Sequence, residues 1–127
     1  MLKVGNLTAQ NGEHVFGYLE CAMSWSGLRP DVPVHLFAGA EPGPTLLVQG
    51  AIHGGEIIGS IAILNFVNNL DPQKIKGNVI AVPVVNRAGF ELGERGSRID
   101  NKDISRLFPG KKMVVSPTKL LTFTSMK

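Results

Sequence analysis

The chain has one cysteine, one tryptophan and one tyrosine among its 127 residues, and no histidine, aspartate or glutamate after Gly110. A lone Cys21 cannot close an intramolecular disulfide, so a reducing, cytoplasmic compartment is expected, with the thiol acting as a small buried hydrophobe rather than a nucleophile. Long apolar runs are also missing. The longest lie around Thr45–Ile52 and Ile57–Leu70 and carry Gly, Ser or Asn, too broken to cross a bilayer. The opening MLKVGNLTAQNGEH has no apolar stretch of the secretory type, so no export signal is expected. The net charge of +3 comes from 13 basic and 10 acidic residues. Four of the lysines (Lys111, Lys112, Lys119 and Lys127) crowd into the last segment, and the remaining basic residues fall one short of the acids. With so few aromatics, there is no basic–aromatic surface for nucleic acid.

What remains is enough for one core. With 43% hydrophobic and 18% charged residues, the composition excludes disorder and collagen-like repeats. Short strands are expected within 12–26 and 32–39, where HVFGYLECAM and VPVHLFAG are rich in Val, Phe, Tyr and Leu. Glu41–Pro44 reads as turn punctuation. Thr45–His53 is a near-continuous apolar run, the pattern of a parallel strand buried on both faces. Beyond Gly54 and Gly55 the period changes: Ile57, Ile58, Ile61, Leu64, Val67 and Leu70 fall at helical spacing, and Asp71–Pro72 ends the helix. Asn78–Val85 is the next strand, with Pro83 arguing for an edge or a bulge. Strand, helix, strand makes a βαβ crossover. Residues 86–110, rich in Gly and charge, read as one long functional loop.

The crossover carries the chemistry. His53 ends a strand and Glu56 begins the following helix, the position at which open α/β sheets bind ligands. Two intervening glycines let the chain turn sharply, so the imidazole and carboxylate can converge. Those are two of the three protein ligands of a His₂Glu zinc site, whose fourth position holds water. A bare H-x-x-E is also met by chance, as a polar strand end and a helix-start acid. The strand, Gly-Gly turn and apolar helix around it raise the metal reading to equal standing with that one.

The runs GAEPGPTLLVQGAIHGGEIIGS and LDPQKIKGNVIAVPVVNRAGFELGERGSRIDNKDISRLFPG resemble the succinylglutamate desuccinylase/aspartoacylase family, zinc-dependent deacylases on the zinc carboxypeptidase fold. The resemblance covers about residues 32–110. It implies an α/β fold: an incomplete zinc-carboxypeptidase-like mixed sheet with the βαβ crossover, preceded by short N-terminal β strands. It implies that His53 and Glu56 are the first two zinc ligands and that Arg95 polarises the scissile carbonyl and holds the oxyanion. The segment from Asp103 to Gly110 matches the family's D-L-N-R-x-F-P-G, whose Asn-Arg pair grips a substrate carboxylate. That role falls to Ser105 and Arg106, with Ser105 standing where the family has Asn and reaching less far. Arg98 reads as loop solvation, and Asp100 and Asp103 as turn and capping residues. The implied activity is hydrolysis of the amide, or an ester, of a small N-acyl amino acid or related carboxylate.

The family's third zinc ligand is a downstream His and its general base a Glu further on; neither residue type occurs after Gly110. His14 and His35 read as surface strand histidines. Residues 1–110 are therefore expected to be the N-terminal part of a single catalytic domain, and 111–127 an atypical tail. Read one base out of register with permitted wobble choices, Lys112–Lys127 becomes KDGSVTDKIAYIYFNE, which has a turn, a Thr cap and an amphipathic helix start. The expectation is a one-base slip in the A-rich codons of Lys111–Lys112 that garbled and shortened the chain; a genuine tail is the alternative. An unpaired sheet edge and an uncovered helix face should then cause self-association. The rival functions are a non-catalytic interaction module that binds no metal firmly and a zinc carboxypeptidase acting on peptides.

Overall fold

A computed structural model describes residues 1–24, 26–97 and 101–108. The chain opens with a hairpin of β1 (Leu2–Val4) and β2 (Leu7–Ala9). A four-stranded sheet follows, built from β3 (Glu13–Leu19), β4 (Val32–Ala38), β5 (Glu41–Gln49) and β6 (Lys76–Val82) in the order β3-β4-β6-β5. Strand β4 runs antiparallel to both β3 and β6, and β5 lies parallel to β6. The helix α1 (Ile57–Asn68) joins those two parallel strands, so the expected βαβ unit in a mixed α/β sheet is present. A short helix, α2 (Arg87–Phe90), and a 3₁₀ turn at Ile104–Arg106 interrupt the segment read as an unbroken loop.

Alternation along the strands divides the core into two layers. On one face Val34, Leu36 and Ala38 of β4 and Ile80 and Val82 of β6 pack under Leu2 and Ala9 of the hairpin. On the other, Phe37, Val79 and Ala81 meet Ile63 and Val67 of α1. Full burial of side chains such as Leu36, Phe37 or Ile80 contributes about 1.5–3 kcal/mol each.

Four expectations are corrected by the structure. Strand β5 is not buried on both faces: Leu46 and Leu47 are exposed, and among the described residues β5 pairs only with β6. Glu41–Pro44 is not a separate turn, because Glu41 already pairs with Lys76 and the irregularity is a register shift before Thr45. Pro83 marks no edge, since β6 ends at Val82 and lies centrally between β4 and β5. The apolar stripe of α1 does not face the core as a whole. Ser60, Ile63 and Val67 are the buried positions, whereas Ile57, Ile58, Ile61 and Leu64 are exposed. The inward face is set by small residues: a Cβ at Gly50 would lie 3.1 Å from the Gly59 backbone, and Ser60 donates to the Pro83 carbonyl at 2.7 Å.

Cys21 is partly buried, and burial together with the nearby Asp31 pushes its thiol up to about 11. It stays protonated at neutral pH, as expected of a thiol with no nucleophilic task.

Candidate metal and substrate site

The site lies where the chain leaves β5. Residue 51 takes a left-handed backbone, with Ala51 at φ 48°, a conformation non-glycine residues seldom adopt. Its carbonyl accepts from the Asn86 amide at 3.0 Å and that of Gly50 from Val85 at 3.0 Å, so the turn after β5 is tied to the chain leaving β6. Gly54 and Gly55 themselves have no left-handed φ. Gly54 is required for close approach instead. Its amide donates to the Glu94 carbonyl at 2.8 Å, and a Cβ there would collide with the backbone of Gly89. Gly54→Ala should therefore cost about 1–3 kcal/mol of stability, read as a lowered denaturation midpoint. Gly55→Ala, whose Cβ would meet only the Gly93 carbonyl at 3.4 Å, should leave that midpoint nearly unchanged. Equal midpoints for the two variants would refute the close approach.

This turn brings His53 and Glu56 together: His53 Nδ1 lies 2.9 Å from Glu56 Oε1. Glu56 occupies the N-cap position of α1, yet its side chain caps no helix amide and turns to the imidazole. The other ring nitrogen, Nε2, lies 3.0 Å from Asp103 Oδ1. A third carboxylate contact extends the chain of groups, with Arg95 Nε donating to Asp103 Oδ2 at 3.2 Å. Ser105 donates to Asp103 Oδ1 from both its amide, at 3.0 Å, and its hydroxyl, at 2.6 Å.

The electrostatics follow these bonds. The carboxylate of Glu56, and then that of Asp103, raise the His53 pKa above its ordinary value. The Ser105 hydroxyl, ahead of His53, holds the Asp103 carboxyl well below the usual carboxylate range. An imidazole between two carboxylates can bond to both only as a donor at each nitrogen, hence as a cation. A metal ion can take the place of the Nδ1 proton.

His53 and Glu56 fit zinc by this chemistry. Two ligands of one tetrahedral zinc, at about 2.0–2.1 Å from it, stand about 3.3 Å apart, so the observed 2.9 Å needs an adjustment of tenths of an ångström. The carboxylate on the far ring nitrogen is the partner that fixes the tautomer of a metal-bound histidine. Asp103 thus faces the nitrogen away from Glu56 and adds no donor to the same ion. Among the described residues no group of three or more His, Cys, Asp or Glu side chains is placed to hold a metal.

The site residues expected from sequence distribute as follows. His53, Glu56 and Arg95 join one network through Asp103. Ser105 joins it by donating to Asp103, and Arg106 ends the 3₁₀ turn with an exposed side chain. Arg98, Asp100 and the tail beyond Phe108 lie outside the described residues. Asp103 does cap the 3₁₀ turn, as expected, but its bond to His53 was not foreseen. Asn86 was also missed. Buried at the start of α2, it accepts from Gly89 at 3.0 Å and donates to the Arg95 carbonyl at 3.4 Å, holding the arginine-bearing segment in place.

Comparison with known proteins then decides the family. Residues 42–124 match the succinylglutamate desuccinylase/aspartoacylase catalytic domain. The chain belongs to this family. The match runs past Gly110 into the tail. A curated relative from Halomonas elongata, N-alpha-acetyl-L-2,4-diaminobutyric acid deacetylase, is 35% identical over 79 residues, covering 62% of this chain and 23% of the relative. Among solved structures, a succinylglutamate desuccinylase/aspartoacylase from Rhodobacter sphaeroides is similar at a TM-score of 0.80 and 28% identity, over 91% of this chain and 37% of that one. The product-bound ectoine utilization protein EutE (DoeB) from Ruegeria pomeroyi is similar at 0.77 and 25%, over 91% and 36%. The chain spans about a quarter of the curated relative and little more than a third of these structures. Among the described residues no helix is long and apolar enough to cross a membrane.

Proposed function

We propose that this chain is part of a cytoplasmic, zinc-dependent deacylase that cleaves the amide of a small N-acyl amino acid or related carboxylate. The observation that carries the reading is the pairing of His53 Nδ1 with Glu56 Oε1 at the end of β5, with Asp103 on the opposite ring nitrogen. Membership of the family and the name of the Halomonas relative support the substrate class. His53 and Glu56 would hold the metal, which when bound polarises a carbonyl and lowers the pKa of its water.

The rest of the work falls to the chain's own side chains. Asp103 fixes the His53 tautomer and leaves Nδ1 free for a ligand. It also holds Arg95 by Nε, leaving the terminal guanidinium nitrogens to face an oxyanion. Arg106 offers a planar, exposed guanidinium for a substrate carboxylate. Ser105 takes the Asn position of the family motif, and with its hydroxyl on Asp103 it is placed to help the grip on substrate only through that carboxylate. Two protein ligands do not hold zinc tightly, so the chain by itself is proposed to be inactive. Residues 1–110 form the first part of the catalytic domain. The out-of-frame origin of 111–127 is tested by the nucleotide sequence across those codons and beyond the stop.

Zinc titration of the intact chain tests the function. Weak binding, with one zinc ion fewer held in both His53→Ala and Glu56→Ala than in the unsubstituted chain, is the expected result. No binding at millimolar zinc, or binding indifferent to both substitutions, would favour the non-catalytic module. That rival draws on the absence of a three-residue metal cluster among the described residues. Where the gene encodes more of the domain, hydrolysis of N-acetyl amino acids in preference to peptides separates the deacylase from a carboxypeptidase.

A further inference from the structure

We propose that His14 and His35 form a second divalent-metal site, on the paired strands β3 and β4 and separate from His53. His14 Nε2 and His35 Nδ1 stand 3.0 Å apart. That is close to the spacing of two imidazole ligands on one transition-metal ion, about 2.8–3.3 Å for bonds of about 2.0–2.1 Å. Both residues project from one face of the β3–β4 pair, where His14 lies opposite Phe37 and His35 opposite Phe16. The two strands stay in continuous register from Glu13 opposite Ala38 to Leu19 opposite Val32, so the backbone beneath the pair is fixed.

The rings are fixed as well. The His14 imidazole stacks on the fully buried Phe37 at 4.0 Å between centroids, with the planes 3° apart. The His35 ring packs against Phe16 at 4.6 Å. Held in this way, the imidazoles lose little further freedom on taking a common ion, which is the main entropic cost of a chelate. Burial lowers the pKa of both histidines, and their mutual repulsion lowers that of His35 further, so both are neutral and ligand-competent at pH 7.

The proton balance is simple. In the metal-free pair one ring donates its N–H to the lone pair of the other. For both nitrogens to face a metal, the donor ring moves that proton to its outer nitrogen through solvent, and no net proton is released. The sheet order β3-β4-β6-β5 sets this pair two strands away from the strand that leads into His53. Water would fill the remaining metal positions, which makes the site exchangeable rather than structural. Nickel(II), copper(II) and zinc are the ions this donor set suits.

Calorimetric titration of the His53→Ala chain with nickel(II) tests the site without interference from the first. One ion should bind, and adding either His14→Gln or His35→Gln should weaken it by about 10- to 100-fold. In the His53→Ala chain itself, copper(II) should broaden the imidazole resonances of His14 and His35 together at substoichiometric metal, a readout independent of whether the glutamine variants fold. Affinity unchanged in either variant, or broadening of one ring alone, overturns the proposal.

Discussion

Asp103→Ala should weaken zinc binding at His53 and Glu56 by about 10- to 100-fold and bring the His53 pKa down toward its ordinary value. Asp103 is the common acceptor of the site. Its Oδ1 takes bonds from His53 Nε2 and from the amide and hydroxyl of Ser105, and its Oδ2 takes one from Arg95 Nε. Removal frees the imidazole to rotate and leaves the Arg95 guanidinium untethered. The pH signature has a definite sign. A histidine whose folded pKa is raised adds stability below its unfolded value, near 6.5, and loses it as pH rises through the folded pKa. A carboxylate whose folded pKa is depressed adds stability above its unfolded value, near 3.8, and loses it as pH falls through the folded pKa. The metal-free variant should therefore lose most stability between those two unfolded values, where His53 is charged and Asp103 ionised. Asp103→Asn keeps an acceptor without the charge and should fall between wild type and alanine. NMR titration of the His53 imidazole reads this out; an unchanged His53 pKa in Asp103→Ala would sink the argument.

The same residue shows where sequence reasoning stops. His53 and Glu56 were legible because their convergence is local: a strand end, a tight turn and a helix start within four positions. Asp103 was legible only as a cap, because its bond to His53 spans 50 positions of chain and depends on how the loop after β6 folds back. The two glycines were read as freeing the turn, whereas Gly54 admits the Gly89 backbone and the unusual φ belongs to Ala51. In β5, an apolar run has the same pattern whether its neighbour is present or not, so burial on both faces could not be read from it. In α1 the apolar residues surround the axis, and spacing alone does not choose a face. The face is chosen by Gly50, bare enough for the Gly59 backbone to approach, and by Ser60, which reaches the Pro83 carbonyl. The hairpin of β1 and β2 was not foreseen, its strands being three residues each.

Ile58→Glu combined with Ile61→Glu should convert a self-associating chain into a monodisperse monomer. Ile58 is 81% exposed and Ile61 53%, beside Ile57 and Leu64 on the outward side of α1, while Leu46 and Leu47 are exposed on β5. An apolar helix face and a strand edge paired on one side only are the two features that natural domains cover. This chain spans little more than a third of the structures it resembles, so in a whole domain these surfaces have further chain available to cover them. For the chain alone, a second copy is the cover we propose. The buried contacts of α1 run through Ser60, Ile63 and Val67, so charges at 58 and 61 should change folding stability by no more than about 0.5 kcal/mol. Sedimentation at rising protein concentration, with the denaturation midpoint as control, measures both effects. Leu47→Lys on β5 separates the sheet edge from the helix face: association that survives Ile58→Glu/Ile61→Glu but fails in Leu47→Lys assigns the contact to the strand. A wild-type chain that sediments as a monomer at every concentration would show that neither surface drives association.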